Sequence, residues 1–276
     1  ASLLMRNGMP AGLTILLVLI GGLIGGLCQG FIIGKIGVPA FVTTLAFNFI
    51  FRGMLSLVTE ATGTIPVTNE FFNEISNGFL PSIFTVAGKH GSTIIIGALI
   101  IFILIISQVR ERKDTIRYNF KVSSLPIFIV KLLFFSAIIG SLSYVLSSYN
   151  GISWTILIVA IVVIIYSFMM DRTKIGRYIY GVGGNREAAA LAGVNVKSIV
   201  IFSFASMGLM ASLGGILFTS RLQSATPTAG IGFELDVIAS CFIGGVSTTG
   251  GIGRIINSII GAFVIVSLTN GLNLMG

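Results

Sequence analysis

Charge is what this sequence has least of. Only 9% of its 276 residues are Asp, Glu, Lys or Arg, against about 25% in a soluble domain. Apolar residues make up 54% of the chain, and the mean hydropathy is +1.02. A water-soluble fold is excluded, and an integral membrane protein is implied. Histidine is nearly missing too: there is one, His90, and the two cysteines, Cys28 and Cys241, sit inside apolar runs. That inventory excludes a Cys/His metal centre and a disulfide framework. No span carries a pair of buried acids, so an ion- or proton-driven pump lacks its titratable groups. A hydrolase needs a nucleophile beside a base, and the lone histidine lies in a connecting loop between Gly88 and Gly91. No catalytic residue and no cofactor are therefore expected.

What is present is a succession of apolar runs near the 20 or so residues that cross a bilayer. They cover 11–33, 40–58, 93–109, 127–147, 152–170, 198–219 and 255–272, with a shorter, irregular run at 232–246. The last of these leads into "GGVSTTGGIGR", too glycine-rich for a helix facing lipid and tolerated only against protein or a cavity. The fold class is all-α and polytopic, about eight spans or broken spans in a single transmembrane domain, 1–276. The chain opens on "ASLLMRNGMP", without initiator Met or signal-peptide n-region, and closes on "NGLNLMG"; both ends are expected to be cut, with at least one further span beyond them.

Loop charge sets the orientation. Segments 110–126 and 171–197 each carry five basic and two acidic residues, whereas 59–93 has Glu60, Glu70 and Glu74 against Lys89 alone. The first two are expected in the cytoplasm and the third outside. The net charge of +8 is thus a topological signal spread over several loops, which removes nucleic acid as a partner.

Within span 40–58, Thr44, Asn48, Arg52, Ser56 and then Glu60 recur every fourth residue, forming one helical stripe. Asn48 is a candidate lining residue, and Arg52, toward the outer end, belongs to the mouth of a path. The first span carries Gly21, Gly22, Gly25, Gly26, Gly30 and Gly34, several pairs of them four apart, the spacing that lets two helix backbones touch. "STTGG" (247–251), beside Asn257, offers hydroxyls and amides close to a path.

The polar segment "DRTKIGRYIYGVGGNREAAALAGVNVKS" (171–198) is the most informative. Gly183 and Gly184 are expected to break any helix. Asn185 then caps a run of good helix formers, Glu187 lies where the helix dipole favours an acid, and Gly193 ends the run. A short capped helix follows, with Ala188, Ala189 and Ala190 as a smooth face. More than twenty-five residues are far beyond what a connector needs, so the helix is expected to dock on a partner.

"EAAALAG" resembles the EAA motif of ABC importer permeases. The blocks 34–54, 173–196, 220–253 and 259–276 are similar to the monosaccharide branch, the ribose, xylose and galactose permeases, and the extra stretch at 110–150 is xylose-like. The resemblance implies a roughly ten-span permease of the bacterial cytoplasmic (inner) membrane. It works as a pair of permease copies on two ATPase subunits and is fed by an extracytoplasmic sugar-binding protein. The ATPase-coupling residues would be Asn185, Glu187, Ala188, Ala189 and Gly193. A neutral, weakly binding sugar path would use Thr44, Asn48, Ser247, Thr248 and Asn270. Arg52, Glu60 and Arg221 would stand at the outer mouth, with loop 59–93 and "SRLQSATPTAG" receiving the binding protein. The alternatives are a permease of the same class for nucleosides, and a secondary carrier or channel, which predicts inverted repeats and no docking helix.

Overall fold

The computed structural model describes residues 1–59, 63–82, 85–86, 89–117 and 124–276; Glu60 lies outside them. Among the described residues, seven helices are long and apolar enough to cross a membrane. They are Ala11–Ile36, whose last turn Ile32–Ile36 is π-helical, Ala40–Thr59, Gly91–Arg117, Leu125–Ser148, Trp154–Arg172, Val196–Leu222 and Ile255–Met275. The irregular run expected at 232–246 holds only an 11-residue helix, Phe233–Ile243, about 16 Å long and half a crossing. Short helices Ser2–Arg6, Glu70–Asn77, Lys174–Gly184 and Arg186–Leu191 complete the set. In chain order these helices are α1 (2–6), α2 (11–31), α3 (40–59), α4 (70–77), α5 (91–117), α6 (125–148), α7 (154–172), α8 (174–184), α9 (186–191), α10 (196–222), α11 (233–243) and α12 (255–275). The chain divides into two compact units, residues 1–76 with 158–276, and residues 77–157.

In the larger unit the main seam joins α2 and α10. The glycine ladder is the reason. A Cβ at Gly26 would stand 3.0 Å from Cα of Ala205, one at Gly30 2.8 Å from Cα of Ile201, and one at Gly34 3.0 Å from the Lys197 carbonyl oxygen. Rising numbers on α2 meet falling numbers on α10, so the helices are antiparallel. Gly208 returns the favour, because its own Cβ would lie 2.9 Å from Cα of Gly26. The small-residue spacing seen in the sequence is therefore a packing face, and α10 is its partner.

The end at which α2 begins and α10 finishes carries a folded cap. Phe72 of α4 is wholly buried in a cluster with Ala11, Val67 and Ile216. Ser220, also buried, donates to the Phe72 carbonyl at 2.7 Å and accepts the Ser76 N–H at 3.0 Å. Beside it β1 (Ile65–Pro66) pairs antiparallel with β4 (Ser224–Ala225), and the Val67 N–H reaches the Gln223 carbonyl. Two more short strands, β2 (Thr85–Val86) and β3 (Lys89–His90), pair in the smaller unit. The two segments that the sequence assigns separately to the outer surface are thus one structure. Ser220→Ala would remove a hydroxyl that bonds three backbone groups, the Phe72 and Asn73 carbonyls and the Ser76 N–H, at a cost of about 1–3 kcal/mol. Hydrogen exchange of α4 is expected to quicken roughly tenfold or more, while the α2–α10 seam keeps its protection.

Glycines 183 and 184 do not break a helix: α8 runs through both and ends at Asn185, whose φ of −154° and ψ of 108° are extended. Tertiary contact overrides propensity here. A Cβ at Gly183 would fall 2.5 Å from the Gly251 nitrogen, so only glycine lets α8 touch the 250–251 turn. That contact offsets the ~1 kcal/mol that glycine costs a helix. The Tyr180 hydroxyl adds a 2.7 Å bond to the Gly253 carbonyl. Segment 223–253 accordingly starts at the strand pair beside one end of α10 and finishes against α8, at the other end. It is built from a loop, a half-helix and a glycine-rich turn.

Candidate functional site

Two places in the larger unit gather polar function. The first is on α3 and α11. Asn48 and Arg52 are one helical turn apart, and Arg52 Nε donates to Asn48 Oδ1 at 2.8 Å. Arg52 Nη2 also lies 3.9 Å from Glu234 Oε1. Glu234 occupies the first turn of α11, just after Gly232 turns the chain with φ +85°. A carboxylate is favoured at that helix start, and the broken span is what brings it to Arg52. Phe233, half exposed next to Glu234, packs edge-on against Phe218 at 5.1 Å. A carboxylate, a guanidinium and an amide therefore meet at the start of a half-helix, whose Phe233 packs on α10.

Glu234 is the member that sequence reading missed. Its signal was present in "GIGFELD": two glycines before an acidic first turn mark a helix start inside an apolar region. The other path candidates share no hydrogen bond with this group among the described residues, although Thr44 stands one turn from Asn48 on the same helix. Thr44 Oγ1 bonds the Phe41 carbonyl of its own helix. Ser247 shares a hydrogen bond with Thr249 inside the turn packed on α8, and Thr248 is exposed in that turn. Asn270 is exposed on α12. Arg221 is exposed at the outer end of α10, next to Ser220 and the cap.

The second place is α9. Asn185 caps it, its Oδ1 accepting the Ala188 N–H at 2.9 Å. At the other end the Val194 N–H reaches the Ala189 carbonyl and the Gly193 N–H the Ala190 carbonyl, with Gly193 at φ +82°. This is the Schellman arrangement, and it needs a residue that tolerates the left-handed region. Both ends are thus fixed by local chemistry. Glu187, Ala188 and Ala190 are exposed, but Ala189 is buried at 8% and faces this chain. Leu191 is 90% exposed, a large apolar side chain offered to water with no cover. Asn195 then caps α10 through the Ser198 N–H, so only Ala192 to Asn195 separate the two helices.

A family model described as branched-chain amino acid transport system / permease component matches residues 1–276. The chain belongs to this family of ABC importer permeases. The permease is similar to the xylose transport system permease protein of Haemophilus influenzae, 33% identical over 97% of this chain and 69% of that one. It is 34% identical to the xylose transport system permease protein of Escherichia coli K12, over 97% of this chain and 66% of the relative. The ribose import permease protein of E. coli K12 is 48% identical, over 46% of this chain and 39% of its own. The permease thus spans about two thirds of the length of the xylose relatives. No solved structure matches it. With seven long apolar helices among the described residues, it is a multi-pass protein of the bacterial inner membrane.

Proposed function

We propose that this chain is the transmembrane subunit of an ATP-driven importer for a monosaccharide, a pentose of the xylose type. In this reading α9 couples it to a separate ATPase, and a sugar-binding protein feeds its outer face. The observation that carries the coupling is α9 itself, a helix capped at both ends that projects Glu187 and Leu191 away from the chain. Likeness to the xylose permeases along 97% of the chain supports the cargo.

A lever can be traced. Closure of two ATPase subunits on ATP would carry α9 with them, and α9 leads through four residues into α10. The glycine seam holds α2 to α10, and Ser220 ties the outer end of α10 to α4. Movement of α9 would therefore reach the outer cap, where the binding protein would dock. Between those ends a sugar would meet Asn48, Arg52, Glu234 and Phe233. Arg52 and Glu234 neutralise each other, so together they present donors and acceptors to hydroxyl groups without net charge. A neutral polyol needs that; an amino acid zwitterion would have to split the pair.

The decisive experiment is uptake into vesicles holding the permease with its ATPase and binding protein. Xylose should enter in an ATP-dependent manner, ahead of ribose, leucine and a nucleoside. Accumulation driven by an ion gradient without ATP sinks the reading, and preference for a nucleoside or leucine reassigns the cargo. Glu234→Gln and Asn48→Phe are expected to lower xylose uptake about tenfold or more with assembly intact. A half-exposed ion pair of this kind is worth at most about 1 kcal/mol, so the thermal stability of Glu234→Gln should barely move. A large loss of stability with uptake spared would make the cluster structural.

A further inference from the structure

The smaller unit contains a second polar group that the transport reading does not use. Helices α5 and α6 are antiparallel neighbours: Gly97 abuts Ser143 at one end, and Gln108 meets Lys131 toward the other. Between them runs a groove lined by Leu104, Gln108, Phe128, Lys131, Leu132 and Phe135. Four of these are apolar, and the two polar ones sit together. Lys131 Nζ donates to Gln108 Oε1 at 3.5 Å, the long limit of a hydrogen bond. An ammonium has three N–H bonds, and the other two find no partner among the described residues. One turn nearer the basic loop, the Arg112 guanidinium stacks over the Phe128 ring, 4.7 Å from its centroid.

Charge in this stretch of the sequence is heavily one-signed. From 110 to 131 the chain carries six basic residues, Arg110, Arg112, Lys113, Arg117, Lys121 and Lys131, against Glu111 and Asp114. In the first turns of α6, Leu125, Ile127 and Val130 are each exposed by 60% or more. Lys131 itself stands within an apolar run of α6, about 9 Å along the helix from its first residue. A cation inside a membrane helix is retained where something compensates it. Gln108 is uncharged and supplies one acceptor, and among the described residues no carboxylate pairs with Lys131.

We propose that the groove between α5 and α6 binds one anionic phospholipid of the cytoplasmic leaflet, with its phosphate at Lys131 and Arg112 and an acyl chain along Leu104, Leu132 and Phe135. The order of the groove fits that molecule. Cations lie at the end that the loop charges assign to the cytoplasm, and apolar side chains continue toward the membrane interior. Basic pockets between spans on that side are suited to anionic headgroups. Arg112 recognises phosphate through its planar fork while its flat face rests on Phe128.

Native mass spectrometry of the intact permease tests this, using phosphatidylglycerol and phosphatidylcholine of the same chain length. One phosphatidylglycerol is expected to stay bound, about tenfold preferred over phosphatidylcholine. Lys131→Gln should abolish the preference and Lys131→Arg should keep it, so a loss through misfolding is recognised by the second variant. Arg172→Gln, at the inner end of α7, should change nothing. Equal retention of the two lipids, or an unchanged preference in Lys131→Gln, overturns the proposal. Binding of glycerol phosphate alone would mean a soluble phosphate site and overturns it also. A disulfide between two copies through Gln108→Cys in native membranes would show protein in the groove, and would overturn it as well.

Discussion

Gly26→Leu should remove folded permease from the membrane. The backbones of α2 and α10 meet there, and even a methyl group would stand 3.0 Å from Ala205 Cα and from the Phe204 carbonyl carbon. Overpacking in a rigid core costs about 1–3 kcal/mol where side chains can yield. At Gly26 the neighbours are main chain of a regular helix, which cannot step aside by a rotamer change. Relief requires the helices to part, and parting forfeits the contacts of Gly22, Gly30, Gly34 and Gly208 together. Inside a bilayer no hydrophobic gain from water offsets that loss, because packing itself drives helix association. The measure is the yield of monodisperse protein by size-exclusion chromatography, with transport absent in parallel. Gly26→Ala should fall between wild type and leucine. Gly21→Leu is the control: nothing lies within 4 Å of a Cβ there, and yield should be normal. Similar yields from Gly26→Leu and Gly21→Leu would show that the seam does not hold the fold.

Gly193→Val should separate ATP hydrolysis from transport while leaving the spans intact. At φ +82° an L-residue is strained by about 1–2 kcal/mol, and a β-branched one more. A helix of six residues has little stability of its own, so a strain of that size loosens its end. Nothing lies within 4 Å of a Cβ at Gly193, so the effect is one of backbone conformation and not of collision. Sugar uptake should drop at least tenfold, and stimulation of the ATPase by loaded binding protein should vanish. Glu187→Arg should uncouple as well, through a different cause: it reverses the charge on the exposed first turn, where the helix dipole itself accounts for only about 0.3–1 kcal/mol. Chromatographic behaviour should match wild type in both. Uptake and stimulation that survive both changes would remove α9 from the coupling path.

Much of this architecture is legible in the residues alone. Among the described residues, six of the seven long helices fall within a few residues of the apolar runs, because length and hydropathy suffice to define a span, whereas α5 continues past 109 through the charged residues expected as loop, to Arg117. The two caps of α9 are equally legible, since Asn185 and Gly193 act on backbone groups only a few residues away. The glycine ladder on α2 announces a tight seam without naming what fills it.

What the tertiary structure alone decided is which distant segments meet. The stripe from Thr44 to Arg52 reads as a lining face, yet its closest charged partner, Glu234, comes from a half-helix nearly two hundred residues later. Gly183 and Gly184 look like helix breakers until the 250–251 turn is seen resting on them, a contact that no local propensity contains. Strands β1 and β4 join two outer segments over a similar separation. Ala188 and Ala189 are alike by composition, and only the packing of α9 turns one outward and buries the other. Capping and hydropathy act over a turn or over a bilayer's width of chain, so the sequence determined the spans and the small helix. Burial, charge pairing and close backbone approach depend on pairs brought together by folding, and the tertiary structure determined those.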